Sequence, residues 1–230
     1  MVDGAIPARD AVRRWLVGGA LMVGMGTALG GGGGTGLLDA RQVATPLAAS
    51  PAAVALTDLP VIPDGAECVL EPLPYGDLAT AIAGGGATPA PVAASGGEPA
   101  GPEQVEAAIL TLRAQIACVN GGDLPRALAL TGGGYLVQVI GPVGLPTDAQ
   151  YAVLATPVPR SIDGSIVLVA VDEVVALPDG SLSALVVTAV GDVTTTSAVT
   201  LTPSTGSPIG WLITGQVQLA RVDAEGTPVA

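Results

Sequence analysis

The chain has 230 residues and a net charge of −12, and it contains no histidine, no phenylalanine and no lysine. Without histidine, Ser-His-Asp and Cys-His catalysis and histidine-bearing metal sites are excluded, and two cysteines are too few for a thiolate metal site. The acidic charge also excludes nucleic-acid binding through phosphate neutralisation. We therefore expect no metal, no cofactor and no nucleic-acid partner, and a core built mainly from Val, Leu, Ile and Ala.

The first 39 residues have the composition of an export signal or a membrane anchor. Arg13 and Arg14 precede residues 15–38, which carry no charged side chain. The motif VRRWLV resembles a twin-arginine export signal, although Val12 stands where Ser or Thr is usual; an ordinary secretory signal or an uncleaved anchor is the alternative. Each interpretation places the bulk of the chain outside the cytoplasm, secreted or at the cell surface. Membrane contact is expected only through 15–38, if that segment is not cleaved.

Two stretches rich in Ala, Pro and Gly, residues 40–60 and 84–102, predict disordered linkers. Between them lies a short island, residues 61–83. We expect Cys68 in an extended piece of this island, and Asp77 as the cap of one or two helical turns.

Residues 103–119 predict a helix. Their apolar side chains recur at steps of four and three residues and form one stripe: Val105, Ile109, Leu112, Ile116 and Val119. The Asn-Gly-Gly sequence at 120–122 tolerates left-handed backbone and ends the helix. Asp123 follows as the predicted N-cap of a second helix, because its short side chain can accept hydrogen bonds from the first free N–H groups.

Cys118 lies on the opposite side of this helix from the apolar stripe. Its neighbours on that side are uncharged, whereas a solvated helix face normally carries charge. We infer that the island 61–83 covers this side and that Cys68 and Cys118 form a disulfide, a bond that persists outside the cytoplasm. Free or intermolecular cysteines are the alternative.

The second half of the chain predicts strands. Residues 165–177 and 181–190 form a hairpin across the turn Pro-Asp-Gly, and residues 196–202 and 210–222 form a second one. Helices that precede two hairpins indicate an α+β domain, with the helices packed on one face of an antiparallel sheet.

The predicted order of elements is a helix, a small-residue corner with an aspartate, a second helix near a tyrosine, and then long hairpins. It is carried by AQIACVNGGDLPRALALTGGGYL (114–136) and GWLITGQVQL (210–219). On these residues the chain resembles the SnoaL-like branch of the nuclear transport factor 2-like superfamily. The resemblance implies a domain over 103–222 with a tail at 223–230. In such a domain N-terminal helices lie in a curved, cone-like, mainly antiparallel sheet, often around an apolar pocket.

Asp172 and Glu173 are the carboxylate candidates for acid–base catalysis, because they lie within the apolar strand VLVAVDEVVAL. Alternation along a strand would send one of them to each face, so that one could line a pocket and act as a base. Tyr135 could donate a hydrogen bond to a ligand oxygen. Each candidate has a plainer alternative: a carboxylate in solvent or at a bulge, and a tyrosine packed with its hydroxyl at the surface.

These observations favour an extracytoplasmic, non-enzymatic module that binds a small apolar ligand or a protein partner, a homodimer included. One alternative is a small-molecule isomerase or cyclase that uses Asp172 or Glu173 together with a tyrosine. Another is a structural or adhesive surface β-protein, which would require that residues 103–119 are not helical.

Overall fold

The computed structural model describes residues 59–84, 97–141 and 144–229. In these ranges the protein is an α+β fold with five α-helices and one open antiparallel sheet, whose five strands are ordered as they follow in the chain. The predicted export motif at Arg13 and Arg14, the apolar segment 15–38 and most of both predicted linkers lie outside the described ranges. Within those ranges, no helix has the length and apolar character needed to cross a membrane.

The helices lie in the first two thirds of the described chain. They are α1 (Tyr75–Gly84), α2 (Pro102–Asn120), α3 (Leu124–Leu128), α4 (Gly133–Ile140) and α5 (Asp148–Leu154), with 3-10 turns at Gly65–Glu67 and Ile162–Gly164. The helix predicted over 103–119 is confirmed by α2. Helix α1 begins before Asp77, so this residue lies in the first turn and does not cap the helix as predicted. The sequence pattern does not predict α5, which a capping box between Thr147 and Gln150 starts.

The sheet is a meander of four long strands with one short strand at its edge. Its strands are β1 (Glu98–Pro99), β2 (Val167–Ala176), β3 (Leu182–Val190), β4 (Val193–Pro203) and β5 (Trp211–Val222). Both predicted hairpins are confirmed, and a tight turn at 191–192 also pairs β3 with β4, which therefore begins before the predicted residue 196. Strand β1 lies inside the segment 84–102, for which the sequence predicts a linker. Its residues form a strand because they pair with the end of β2.

The two faces of the sheet have different neighbours. On the inner face, side chains of β2 to β5 share one hydrophobic cluster with Ala108, Leu112 and Ile116 of α2; the strand members are Leu168, Val171, Leu182, Ala184, Val186, Val199, Leu201 and Ile213. The outer face consists of the alternate β3 residues Ser183, Leu185, Val187 and Ala189 and of the residues that share their side of the sheet on the neighbouring strands. None of these outer-face residues belongs to a hydrophobic cluster of the described chain.

Residues 59–84 contribute to all three hydrophobic clusters. Leu59 and Val61 pack against the inner-face cluster, and the backbone of Val61 pairs with that of Leu168 in β2. Leu78 of α1 is completely buried in a second cluster with residues of α3, α4 and α5. Leu70 belongs to a third cluster beside α2 and α3. The packed unit therefore includes this segment and extends before residue 103, the start expected from the resemblance.

Asn120, the last residue of α2, joins three segments of the chain. Its buried side-chain amide donates to the carbonyl oxygens of Pro63 and Ile166, each at 3.0 Å, and its Oδ1 accepts from the Ile166 N–H at 2.8 Å. Its backbone carbonyl accepts from the N–H of Arg160. One side chain thus links the end of α2 to the segment before α1 and to the residue that precedes β2.

The two glycines after Asn120 are required by close backbone contacts. A Cβ on Gly65 would lie 2.5 Å from the Cα of Gly121, so two chain segments touch there without side chains. Gly122 has a φ of +71°, and a Cβ on it would lie 1.9 Å from the carbonyl oxygen of Val158. The Asn-Gly-Gly corner is therefore a junction of backbones as well as the end of a helix.

The predicted disulfide between Cys68 and Cys118 is present, with the two Cα atoms 4.7 Å apart. Cys118 is completely buried against Ala127 and Leu130, on the side of α2 away from the sheet cluster. One residue before Cys68, the carboxylate of Glu67 accepts a hydrogen bond from Arg113 of α2 at 2.8 Å, which holds the pKa of Glu67 below its usual value. The segment before α1 is thus fastened to α2 by a covalent bond and an ion pair.

Removing the disulfide by Cys68→Ser together with Cys118→Ala should lower the free energy of unfolding by about 4 kcal/mol, because the bond closes a loop of 50 residues. Urea unfolding followed by circular dichroism measures this loss. Reductant should bring the wild type to the midpoint of the variant and leave the variant unchanged. A wild type that keeps its midpoint after full reduction would contradict the prediction.

Gly122→Ala should destabilise the protein more than Gly180→Ala. Both glycines have a positive φ, +71° and +83°, so both substitutions carry a similar backbone strain. Only at Gly122 does the new Cβ collide with backbone, whereas nothing lies within 4 Å of it at Gly180. We expect the two losses in free energy of unfolding to differ by at least about 2 kcal/mol in urea titrations. Equal losses would show that the contact with Val158 carries no weight.

Candidate functional site

Asp172 and Glu173 are both exposed and lie at a β-bulge. The pairing of β2 with β3 is interrupted between Asp172 and Val175, and Glu173 has a φ of 48°. A bulge breaks the alternation of side chains along a strand, which is why the structure does not send one carboxylate into the core as the sequence pattern predicts. Exposed charge and a bulge are instead features that protect an edge strand from pairing with another chain.

Asp123 lies at the start of α3 as its N-cap. Its Oδ1 accepts from the backbone N–H of Arg126, and its Oδ2 accepts from the Arg126 guanidinium at 2.8 Å. Both interactions are local to one helical turn. The residue therefore stabilises the beginning of α3, and its carboxylate is occupied by this contact.

The glycine triplet 132–134 brings α4 against the start of β5. The N–H of Gly132 donates to the carbonyl of Ile213, whose own N–H donates to the carbonyl of Leu130. A Cβ on Gly132 would lie 2.7 Å from Cγ2 of Thr214. The absence of a side chain here allows the first turn of α4, with Tyr135, to begin directly beside β5.

Tyr135 is 5% exposed and its hydroxyl points to β5, where it donates to Oε1 of Gln216 at 2.7 Å. Burial of the ring raises the pKa of Tyr135 far above its usual value. The phenol therefore stays protonated and remains a hydrogen-bond donor throughout the ordinary pH range.

The hydrogen bond from Tyr135 continues into the sheet. Nε2 of Gln216 donates to Oγ of Ser197 at 3.2 Å, and Ser197 is 2% exposed. Ser197 is the register partner of Gln218, and Gln216 that of Val199, a member of the inner-face cluster. Since paired residues share a face, all these side chains lie on the inner face. We call Tyr135, Ser197, Gln216 and Gln218 the polar corner.

Gln218 completes the polar corner with an acceptor that is not used. Its Oε1 is buried and has no hydrogen-bond partner within the described chain. A buried polar atom without a partner costs about 1 to 3 kcal/mol, so such an atom in a folded protein calls for a physical explanation. A ligand that donates a hydrogen bond to this oxygen would supply one.

The polar corner has apolar neighbours on one side and, on the other, a row of two threonines and Arg221. Val186, the partner of Ser197 on β3, continues to Val171 of β2. In the following row, Thr188 and Thr195 face each other and are buried, and Arg221 pairs with Thr195. Arg221 is already engaged in an interaction of its own. No group of His, Cys, Asp or Glu in the described ranges is arranged to hold a metal ion.

The sequence does not reveal Ser197, Gln216 and Gln218 as site residues. In the strand GWLITGQVQL, simple alternation places Ile213, Gly215, Val217 and Leu219 on the core side and both glutamines in solvent. The pairing of β5 with β4 is irregular between Thr200 and Leu201, which reverses the alternation after Ile213. The signal available in the sequence was the pair of glutamines at alternate positions of an otherwise apolar strand.

Tyr151 lies outside the polar corner. Its hydroxyl donates to the carbonyl of Leu73, just before α1. Tyr75 of α1 donates to the carbonyl of Pro146, just before α5, at 2.9 Å. The two tyrosines thus connect the beginnings of α1 and α5. Burial, and to a lesser extent the charge of Asp123, raises the pKa of Tyr151 to about 12.

Comparison of the chain with models of known protein families, with curated proteins and with solved structures found no match.

The stability of the protein should fall as the pH rises above 10.0, the usual pKa of tyrosine. Tyr135 and Tyr151 have raised pKa values in the folded state, so above pH 10 the unfolded chain binds fewer protons than the folded one. Their contribution is complete below pH 10; that of Tyr151 is lost as the pH rises through about 12, and that of Tyr135 at still higher pH. Urea unfolding at a series of alkaline pH values measures this slope.

The double variant Tyr135→Phe, Tyr151→Phe is the control for alkaline destabilisation. Its free energy of unfolding should fall less steeply above pH 10, because the two tyrosines whose pKa values are raised in the folded state are gone. An identical slope in variant and wild type would contradict the assignment.

Proposed function

We propose that this protein is an exported, non-enzymatic binding module whose ligand is a small, largely apolar molecule that bears a hydroxyl group. The observation that carries the proposal is the unpartnered Oε1 of Gln218, beside the fixed chain from Tyr135 through Gln216 to Ser197. An acceptor of this kind favours a ligand with a donor, and the adjoining Val186 and Val171 favour an apolar remainder.

The chemistry of the polar corner supports binding more than catalysis. The phenol of Tyr135 is held in its protonated form, and Ser197 receives its hydrogen bond from an amide that cannot act as a base. The carboxylates on which the isomerase or cyclase alternative depends, Asp172 and Glu173, are exposed at a bulge of β2. The adhesive alternative required 103–119 to be non-helical, and this segment lies within α2.

A cone-like arrangement resembling the SnoaL-like branch is part of the same proposal. Irregular pairing at two places between β2 and β3 and at two places between β4 and β5 supports a bent sheet, since bulges increase local bending and twist. The cluster shared by α2 and four strands supports helices that lie within the curve of the sheet.

Export outside the cytoplasm is supported by two separate observations. The chain carries the arginine pair and the charge-free segment 15–38 of an export signal or anchor. It also carries the disulfide between Cys68 and Cys118, a bond that is compatible with an oxidising compartment.

Binding can be tested with 2-naphthol, a small apolar probe with one hydroxyl group, against 2-methoxynaphthalene, which has the same rings but no donor. Wild-type protein should bind 2-naphthol about tenfold more tightly, because one hydrogen bond to a buried acceptor contributes about 1 to 1.5 kcal/mol. The fluorescence of the probes gives both dissociation constants.

Gln218→Leu should remove the preference for 2-naphthol and leave the affinity for 2-methoxynaphthalene nearly unchanged. Gln115→Leu, a half-buried glutamine of α2 outside the corner, is the matched control and should keep the preference. The proposal is wrong if neither probe binds saturably, or if Gln218→Leu retains the preference.

A further inference from the structure

The outer face of the sheet is almost free of charge although the chain is strongly acidic. Among its described positions Asp172 is the one charged residue, and it lies at the β2 side beside the bulge. The centre of the face is made of Leu185, Val187, Ala198 and Val217. Depletion of charge over several adjacent strands is typical of the buried part of a protein interface.

Two threonine side chains of the outer face are already hydrogen-bonded within the sheet. The hydroxyls of Thr202 and Thr214 bond to each other at 2.9 Å, and Thr214 also contacts the carbonyl of Thr200 at 3.4 Å. The hydroxyl of Ser183 has no partner, but it is buried in the single chain and would lose no further contact with water. Covering these three groups therefore adds little desolvation cost.

The centre of the face is a continuous apolar surface. In the central row, Leu185 and Val217 flank Ala198, whose side chain is small and 3% exposed. Two copies of one sheet also share the same twist, which is the condition for aligned face-to-face packing at about 30°.

The dimensions of the face suit a homodimer. Four strands of 9 to 12 residues form it. With about 3.3 Å per residue and about 4.8 Å between strands, it measures about 30 by 19 Å, or about 600 Å² per copy. Two copies would bury about 1,200 Å² in total, the lower end of specific protein interfaces.

We propose that a second copy of this chain covers the outer face, with the sheets of the two copies packed face to face. Among the described positions of the face, Asp172 at its margin is then the one acidic residue near the contact. This face is on the opposite side of the sheet from the polar corner, so the proposal does not depend on the proposed ligand.

Light scattering after size exclusion of the full chain, over a wide range of protein concentration, tests the proposal. The wild type should have the mass of two chains, and Val187→Arg should reduce it about twofold because a charge would enter the centre of the contact. Ile162→Arg, at a position 83% exposed and outside the sheet, is the control and should keep the mass of two chains. A one-chain mass for the wild type, or a two-chain mass for Val187→Arg, would overturn the proposal.

A crosslink provides a second readout that does not require a destabilising charge. Both native cysteines are in the disulfide, so Thr200→Cys introduces a single thiol on the partly exposed outer face. A short bis-maleimide should join two copies of this variant. The same reagent should leave Thr80→Cys, exposed on α1, as single chains. Equal crosslinking of the two variants would show random collision and would contradict the proposed dimer.

Discussion

The buried amide of Asn120 is the interaction on which the rest of the structure depends. It is placed at the end of α2, where it bonds at once to Pro63 and to Ile166, and its backbone receives Arg160. Two residues earlier, Cys118 is covalently bound to the segment before α1. The hydrogen bonds of Asn120 and the disulfide of Cys118 therefore both hold the C-terminal end of α2. Because Ile166 is followed directly by β2, this junction links the end of α2 to a strand whose residues share the inner-face cluster with it.

The glycines around this junction allow chain segments to approach each other backbone to backbone. Backbones that approach as closely as Gly65 and Gly121, or Gly122 and Val158, leave no room for a Cβ. The same requirement recurs where Gly132 meets Thr214 and lets α4 begin beside β5. The contacts of Gly65 and Gly122 join chain segments at the Asn120 junction. The contact of Gly132 places Tyr135 where its hydroxyl can donate to Gln216. The small residues of the chain thus position the large and polar ones.

Much of the fold could be predicted from the sequence because it depends on periodicity. The spacing of apolar residues predicts helix α2 and both hairpins. The uncharged back of α2 predicts the disulfide between Cys68 and Cys118. Strand β1 could not be predicted in this way, because two residues in a stretch rich in Gly, Ala and Pro have no period of their own. They form a strand because the end of β2 offers partners.

The candidate site was far less accessible from the sequence, for one physical reason. Irregular strand pairing changes which side chains share a face, and it does so both at Asp172 and after Ile213. At the first position it keeps Glu173 from turning to the inner face, so that both carboxylates are exposed. At the second it turns Gln216 and Gln218 inward, where regular alternation would have placed them outside. The β-bulges of this protein therefore determine which polar side chains face the inner side of the sheet. Residue types alone do not specify where such bulges occur.

The central claim is that Gln218 receives the hydroxyl group of a ligand, and the side-chain amide resonances of the glutamines report on it most directly. In a titration with 2-naphthol followed by NMR, the amide signals of Gln216 and Gln218 should shift saturably, because the first shares the hydrogen-bond chain and the second gains a donor. The signals of Gln104, Gln115 and Gln150 should stay in place. Shifts confined to those three, or no saturable shift at Gln218, would contradict the account.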